Sequence, residues 1–308
     1  MSTLHPQAQA FYEQAALEDY VAPAELGPVA SRALATESAR ERPPGPPVAS
    51  VSDFTVTAAD GAALAARRYD PEDARGSILW LHGGGWVLDG LELTDAMCRT
   101  LANEAAASVF SVDYRVAPEH RFPVALDDCH DMLRWVAGQA GGGPLVVGGD
   151  SAGGNLAAVC ALRARIGGPE ILAQVLVYPV TDSDLTTPSY RQYGEPELPL
   201  LSTADMAWFF DCYARDPGDL ANAELSPLRA PDLSGAPPAI VVVAEIDPLR
   251  DDGLHYVQRL RDAGVEVTLH NYEQMPHGFF SRPTVFDDGA DAIARVGAQL
   301  RELIAAQM

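Results

Sequence analysis

The chain has 308 residues, 47% of them hydrophobic, and sets 43 acidic against 21 basic residues for a net charge of −22. That length suits one large domain, or one domain with a substantial insertion. A surface so acidic repels nucleic acid and anionic membranes, so neither is expected as a partner. Every basic residue is arginine, which excludes a Walker-type phosphate loop, a lysine Schiff base and a Ser-Lys dyad, because each needs an ε-amine.

Residues 1 to about 48 read as helix followed by a proline-rich connector, "RERPPGPP". "VSDFTVT" and "LAARRY" come next and read as an edge hairpin. "SILWLH", "ASVFSVDY", "PLVVGGD", "AQVLVYP" and "PAIVVVAE" are apolar at successive positions, as central parallel strands buried on both faces are. "VEVTLHNY" reads as a last strand. Helical patterns lie between them in "LTDAMCRTLANEA", "PVALDDCHDMLRWVAG", "NLAAVCALRARI" and "DGLHYVQRLRDAG". Strand and helix in alternation predict an α/β fold, with a mostly parallel sheet and helices on both faces. Residues from about 183 to 225 break the alternation. This stretch and the N-terminal 48 residues are expected to form a helical cap over the carboxyl edge of the sheet, leaving 49–182 and 226–308 as the catalytic domain. The alternative is an N-terminal arm plus a long surface loop, but loops of that length in compact domains usually carry structure or function.

Cys98, Cys129, Cys160 and Cys212 lie far apart with no C-x-x-C pair, so neither a zinc site nor a redox motif is indicated and free thiols are expected. No apolar run reaches the ~20 residues of a membrane-spanning helix. The opening "MSTLHPQAQAFYEQ" has no basic stretch leading into an apolar one, so the expected location is cytoplasmic.

The sharpest chemical signal is "VVGGDSAGGNLAAV". Gly149-Asp150-Ser151-Ala152-Gly153 fits G-x-S-x-G between an apolar strand and a helix, the pattern of a nucleophile elbow. The two glycines permit a tight strand-to-helix turn. The Ser151 hydroxyl is then set at a helix N-terminus, where developing negative charge is favoured. A serine needs a base, and the base needs an orienter. Of the seven histidines, His255, His270 and His277 follow Ser151. His255 falls within a helix and His270 within a strand. His277, in "QMPHGFF", falls in the loop after the last strand and is the expected base. "VVVAEIDPLRDDG" offers three acids. Asp247 follows its strand directly, at the edge where ligands gather in such sheets. Pro248 is expected to start the next helix, whose dipole alone accounts for Asp251 and Asp252. Asp247 is therefore the expected acid.

"HGGGW" follows another strand. Acyl transfer builds a negative oxygen, and a glycine run can aim backbone N–H groups at it with no side chain in the way. The amide of Ala152 supplies a further donor. Trp86, Trp208, Phe209 and Tyr213 are candidates to line an acyl pocket together with Asp150, although Trp208, Phe209 and Tyr213 read equally well as core of the cap. His82 is expected to brace the glycine loop. "DDCHD" sets Asp127 near His130 and Asp131 on one helix, too few ligands for a metal site. No metal and no cofactor are expected.

"HGGGW", "DYRVAPEHRFP", "GDSAGGN", "YPVTD", "LSPLRAPDLSGAPPAIVVVAEIDPLRDDG" and "HGF" occur in that order. Together they resemble the bacterial hormone-sensitive-lipase-like esterases, or family IV, of the α/β-hydrolase fold, over nearly the whole chain. Val116 stands where that family usually has Leu. The resemblance implies Ser151 as nucleophile, Asp247 as acid, His277 as base, and Gly84, Gly85 and Ala152 as the oxyanion hole. It also implies a cap of N-terminal helices and the later insertion, short- to medium-chain acyl esters as small-molecule substrates, and a homodimer formed through the sheet edge. Two rival readings remain at this stage. One is a ligand receptor on the same fold, which His277 speaks against. The other is a peptidase or amidase, since the same triad cleaves amides.

Overall fold

The sheet has eight strands: β1 (Ser50–Thr57), β2 (Ala63–Asp70), β3 (Ser77–Leu81), β4 (Ser108–Asp113), β5 (Leu145–Asp150), β6 (Ala173–Val177), β7 (Ala239–Ile246) and β8 (Val267–Pro276). These come from a computed structural model that describes residues 3–308 apart from Asp19, Asp89 and Gly142; Met1, Ser2 and Asp19 of the expected cap thus lie outside the described residues. Their order is β1-β2-β4-β3-β5-β6-β7-β8. β1 pairs with β2, and β2 with β4, antiparallel; every later pairing is parallel. β3 and β6 are buried at every position, whereas most of edge strand β1 is exposed. This is the contrast between the apolar runs and the mixed hairpin in the sequence.

Side chains alternate between two cores. Leu79, Leu81, Val147, Val241 and Val243 face one core with α5 (Val124–Gln139), α6 (Ala152–Ala164) and α9 (Arg250–Asp262). Ile78, Trp80, Val146, Val175 and Val242 face the other with α4 (Leu91–Ala105) and α10 (Asp287–Ala305). Full burial of each Val, Leu or Ile contributes about 1.5–3 kcal/mol. The sheet is thereby held between two helical layers. α10 follows the same logic. Asp287 and Asp288 sit in its first turn, and Ile293, Val296, Leu300 and Ile304 recur on its buried face.

Five further helices lie outside this frame: α1 (Pro6–Leu17), α2 (Pro23–Leu26), α3 (Pro28–Glu41), α7 (Pro188–Tyr193) and α8 (Thr203–Tyr213). Proline opens the first four, where its missing N–H costs nothing. Ser202 and Asp205 close a capping box on α8. α3 is tied down by Arg32, which donates from Nε to the Val87 carbonyl at 2.7 Å and pairs with Glu119 at 2.6 Å. α1 lies against the carboxyl edge of the sheet, with the Tyr12 hydroxyl donating to the His277 carbonyl at 3.4 Å.

One boundary differs from expectation. Pro248 does not start α9, which begins at Arg250 with Leu249 as its cap. The Asp247 carboxylate accepts the Leu249 N–H at 2.8 Å, so residues 247–249 form a turn of their own.

Candidate active site

β3, β5, β7 and β8 end along one edge of the sheet, and the chemistry lies just beyond their last residues. β5 hands over to α6 through a single residue, Ser151, at φ 57° and ψ −119°. A non-glycine residue at positive φ stores about 1–3 kcal/mol of strain. Close packing imposes that geometry. A Cβ on Gly153 would lie 1.9 Å from the Leu81 carbonyl oxygen, and one on Gly149 would lie 2.3 Å from the Gly153 oxygen. The Ser151 N–H donates to Val177 O at 2.9 Å, and Asn155 Nδ2 donates to Val180 O and Leu225 O at 2.9 and 2.8 Å. The turn is thus held from both sides.

The Ser151 Oγ lies 3.0 Å from His277 Nε2, and His277 Nδ1 lies 2.7 Å from Asp247 Oδ2. Asp247 is wholly buried, Ser151 nearly so. Three residues spread over 126 positions of sequence therefore form one hydrogen-bonded chain. The Tyr178 ring lies 4.5 Å from the His277 ring, centroid to centroid, and packs against it. His255 lies in α9 and His270 in β8, where its Nε2 meets Gln299 at 3.2 Å.

Asp251 and Asp252 do more than answer a helix dipole. Asp252 Oδ2 accepts the N–H groups of Thr181 and Asp182 at 2.9 and 3.1 Å, and Asp251 Oδ2 accepts that of Ser189 at 2.8 Å. Both carboxylates anchor the chain that leaves β6. Burial pushes the Asp252 carboxyl up to about 8, against the downward pull of the Thr181 and Asp182 amides. No local spacing signals these anchoring roles, because the partners lie 62 to 71 residues away.

After β3 the chain runs through Gly84 at φ 106° and Gly85 at φ 61°. A Cβ on Gly85 would lie 2.1 Å from the Phe209 ring. The amides of Gly84, Gly85 and Ala152 have no protein acceptor among the described residues. His82 braces the loop. It stacks on Tyr114 at 4.1 Å, with its Nδ1 2.7 Å from Gly83 O. Asp150 accepts from Trp80 Nε1 at 3.1 Å. Burial raises the Asp150 carboxyl above the ordinary range, opposed by the Trp80 hydrogen bond.

A cavity of about 640 Å³ opens over these groups. His82 to Gly85, Asp150, Ser151, Tyr178 and His277 form its floor; Tyr12, Leu34, Ala35, Met206 and Phe209 from α1, α3 and α8 form walls. The two tryptophans assigned to the pocket lie elsewhere. Trp86 has no exposed surface and stacks on Tyr213 at 4.6 Å, because positive φ at Gly85 and Trp86 turns the indole into the core. Trp208 stands beside Phe209 but off the cavity; one step along a helix rotates a side chain by about 100°. Tyr12, Tyr178 and Met206 were missed; the "YP" after β6 was the one visible hint. On α5, Asp127 pairs with Arg163 at 2.7 Å and Asp131 accepts the Ala59 N–H at 2.7 Å, so both carboxylates have structural partners.

A mostly parallel sheet with a strained serine elbow and a Ser-His-Asp chain at its carboxyl edge defines an α/β hydrolase. The α/β-hydrolase-fold family matches residues 78–281. The chain is 36% identical over 266 residues to the ethyl acetate hydrolase of Pseudomonas putida, covering 82% of each chain. It is 42% identical over 237 residues to the carboxylesterase NlhH of Mycobacterium tuberculosis, covering 74% of this chain and 73% of that one. Among solved structures, the hyperthermophilic esterase of the archaeon Pyrobaculum calidifontis superposes with a TM-score of 0.90 at 36% identity, covering 98% of this chain and 99% of its own. The chain belongs to the α/β-hydrolase family, in its hormone-sensitive-lipase-like branch of esterases.

Proposed function

We propose that this carboxylic ester hydrolase cleaves short- to medium-chain acyl esters through an acyl-enzyme on Ser151. The single observation that carries the proposal is the hydrogen-bonded chain Ser151–His277–Asp247, with its links of 3.0 and 2.7 Å. Buried Asp247 holds the Nδ1–H of His277 and so leaves Nε2 facing the serine as a base. Ser151 Oγ attacks the ester carbonyl carbon while Nε2 takes its proton. The carbonyl oxygen becomes an oxyanion held by the amides of Gly84, Gly85 and Ala152, which have no competing protein acceptor. Collapse breaks the bond to the alcohol, which takes the proton from Nε2. Water then gives a proton to Nε2 and attacks the acyl carbon; the bond to Ser151 Oγ breaks, Oγ takes that proton back from Nε2, and the acid leaves. No step draws on a metal or a cofactor.

Residues 1–48 and 183–225 form the cap in this reading. Support comes from the walls that α1, α3 and α8 give the cavity. A homodimer joined through the sheet edge belongs to the same proposal, since β8 has β7 as its one strand partner among the described residues, with only its far end engaged by the His5 N–H at Gln274 O. A cytoplasmic location is supported by the four buried free thiols, a state that reducing compartments maintain.

The test uses p-nitrophenyl butyrate and a serine-directed phosphonate. Hydrolysis should stop as one phosphonyl group attaches at Ser151, found by peptide mass spectrometry. Ser151→Ala should stay folded and lose on the order of 10⁶ in rate. Undiminished hydrolysis by that variant would remove Ser151 from the reaction.

A further inference from the structure

Two arginines line the cavity without an acidic partner. Arg42 caps the C-terminus of α3, and Arg282 follows His277 by five residues in the turn beyond β8. The Arg42 guanidinium, only partly exposed, makes no hydrogen bond or ion pair with any described residue. Arg282 donates from Nη1 to the Gly278 carbonyl at 2.7 Å and lies over the Phe11 ring at 6.0 Å. Its Nε is buried and has no partner.

The acids of the same cavity do not neutralise this pair. Asp150 accepts from Trp80, and Asp205 accepts from Ser202 through Oδ2 while its buried Oδ1 has no partner; neither lies within ion-pair distance of the arginines. Glu18, Glu37 and Glu41 are exposed at the rim, and none lies within ion-pair distance of either arginine. The charged neighbour that Arg42 does feel is Arg282. Burial first, and then that like charge, push the Arg42 guanidinium down to about 10, with Tyr12 pulling weakly the other way. Two neighbouring cations with unused donors, partly withdrawn from water, are a costly arrangement that an anion would relieve. The planar guanidinium matches a carboxylate in particular, since its N–H groups can donate in parallel to both oxygens.

We infer that Arg42 and Arg282 form an anion subsite within the cavity, and that the preferred substrates are esters carrying one free carboxylate. The inference rests on the esterase reading and adds the substrate's charge to it. With the ester carbonyl at Ser151 and the carboxylate at the arginines, the ester spans the cavity from floor to wall. The overall charge of −22 opposes an anionic substrate, and the local pair offsets that repulsion. Without it, the field of the protein would disfavour an anionic substrate over a neutral one.

The experiment compares two near-isosteric ester pairs by proton release. Monoethyl glutarate against ethyl pentanoate puts the charge on the acyl side; 4-acetoxybutanoate against pentyl acetate puts it on the alcohol side. For at least one pair, the charged-to-neutral ratio of kcat/KM should fall by roughly tenfold or more in Arg42→Gln and in Arg282→Gln, the loss of one charge-assisted hydrogen bond. Arg42→Lys should retain most of the ratio. A ratio equal in wild type and all three variants, or an equal loss for charged and neutral esters, overturns the inference. Arg282 also supports its turn through Gly278, so Arg42, with no hydrogen bond to lose, gives the cleaner variant. Calorimetry on Ser151→Ala separates the subsite from turnover. Intact monoethyl glutarate should bind roughly tenfold tighter than ethyl pentanoate, and that margin should vanish when Arg42→Gln is added. Equal binding overturns the subsite. Preference for monoethyl glutarate over ethyl pentanoate in a protein that hydrolyses none of the four esters would uphold the subsite and reject the esterase reading.

Discussion

Gly153, the second residue of α6, packs so closely on Leu81, the last residue of β3, that a Cβ on the glycine would lie 1.9 Å from the leucine carbonyl oxygen. This contact sets the start of α6, just after Ser151, directly against the strand that feeds the glycine loop. The distance between the serine turn and the three free amides depends on it. Gly153→Ala must push helix and strand apart, costing at least about 1–3 kcal/mol by overpacking. The expected outcome is a lower Tm together with near-complete loss of esterase activity. A variant with wild-type Tm and rate would mean that the turn tolerates displacement.

The three acids after β7 should separate kinetically. Asp247 alone reaches His277, whereas Asp251 and Asp252 hold backbone amides of the chain beyond β6. Asp247→Asn should lower kcat by on the order of 10⁴, through loss of imidazole orientation. Asp251→Asn and Asp252→Asn should chiefly lower stability. A kcat for either that matches Asp247→Asn would reassign the acid.

Asp252 should leave a mark on the pH dependence of stability. Burial raises its folded-state value to about 8, from about 3.9 in the unfolded chain. Between those limits the folded protein retains a proton that the unfolded chain has released. Stability contributed by this group is therefore full below pH ~4 and falls as pH rises towards 8. Asn places an N–H₂ group where the unpartnered Oδ1 sits and keeps an acceptor for Thr181 and Asp182. Asp252→Asn should show a flatter decline in urea midpoint from pH 5 to 8 than the wild type. Parallel declines would remove Asp252 as a source of that slope.

Phe209 and its neighbour Trp208 should behave differently. Phe209 lines the cavity against Gly85, and Trp208 lies off it. Phe209→Ala should move the kcat/KM optimum towards longer chains in a p-nitrophenyl ester series from acetate to dodecanoate. Trp208→Ala should leave the optimum where it was. A shift caused by Trp208→Ala and not by Phe209→Ala would invert the assignment.

The α/β class was legible in the sequence because burial on both faces writes itself as unbroken apolar runs, from "SILWL" to "AIVVVAE". Amphipathic helices between those runs are equally local signals, and so are the breaks in alternation over residues 1–48 and 183–225. Ser151, Asp247 and His277 could be singled out because each follows the end of a strand, and strand ends can be read from local pattern. The order β3-β5-β6-β7-β8 could not be read in that way. That order brings His277 within 3.0 Å of a serine 126 residues earlier, and places Asp252 beneath the chain that leaves β6. Direction was hidden as well. Trp86 and Trp208 look like pocket residues by type and neighbourhood, yet positive φ at residues 85 and 86 and one step of helix rotation turn them away. Arg42 and Arg282 lie 240 positions apart and carry no motif. Their meeting in one cavity depends on where α3 crosses the carboxyl edge, which is decided by packing across the whole fold rather than by any local preference of the chain.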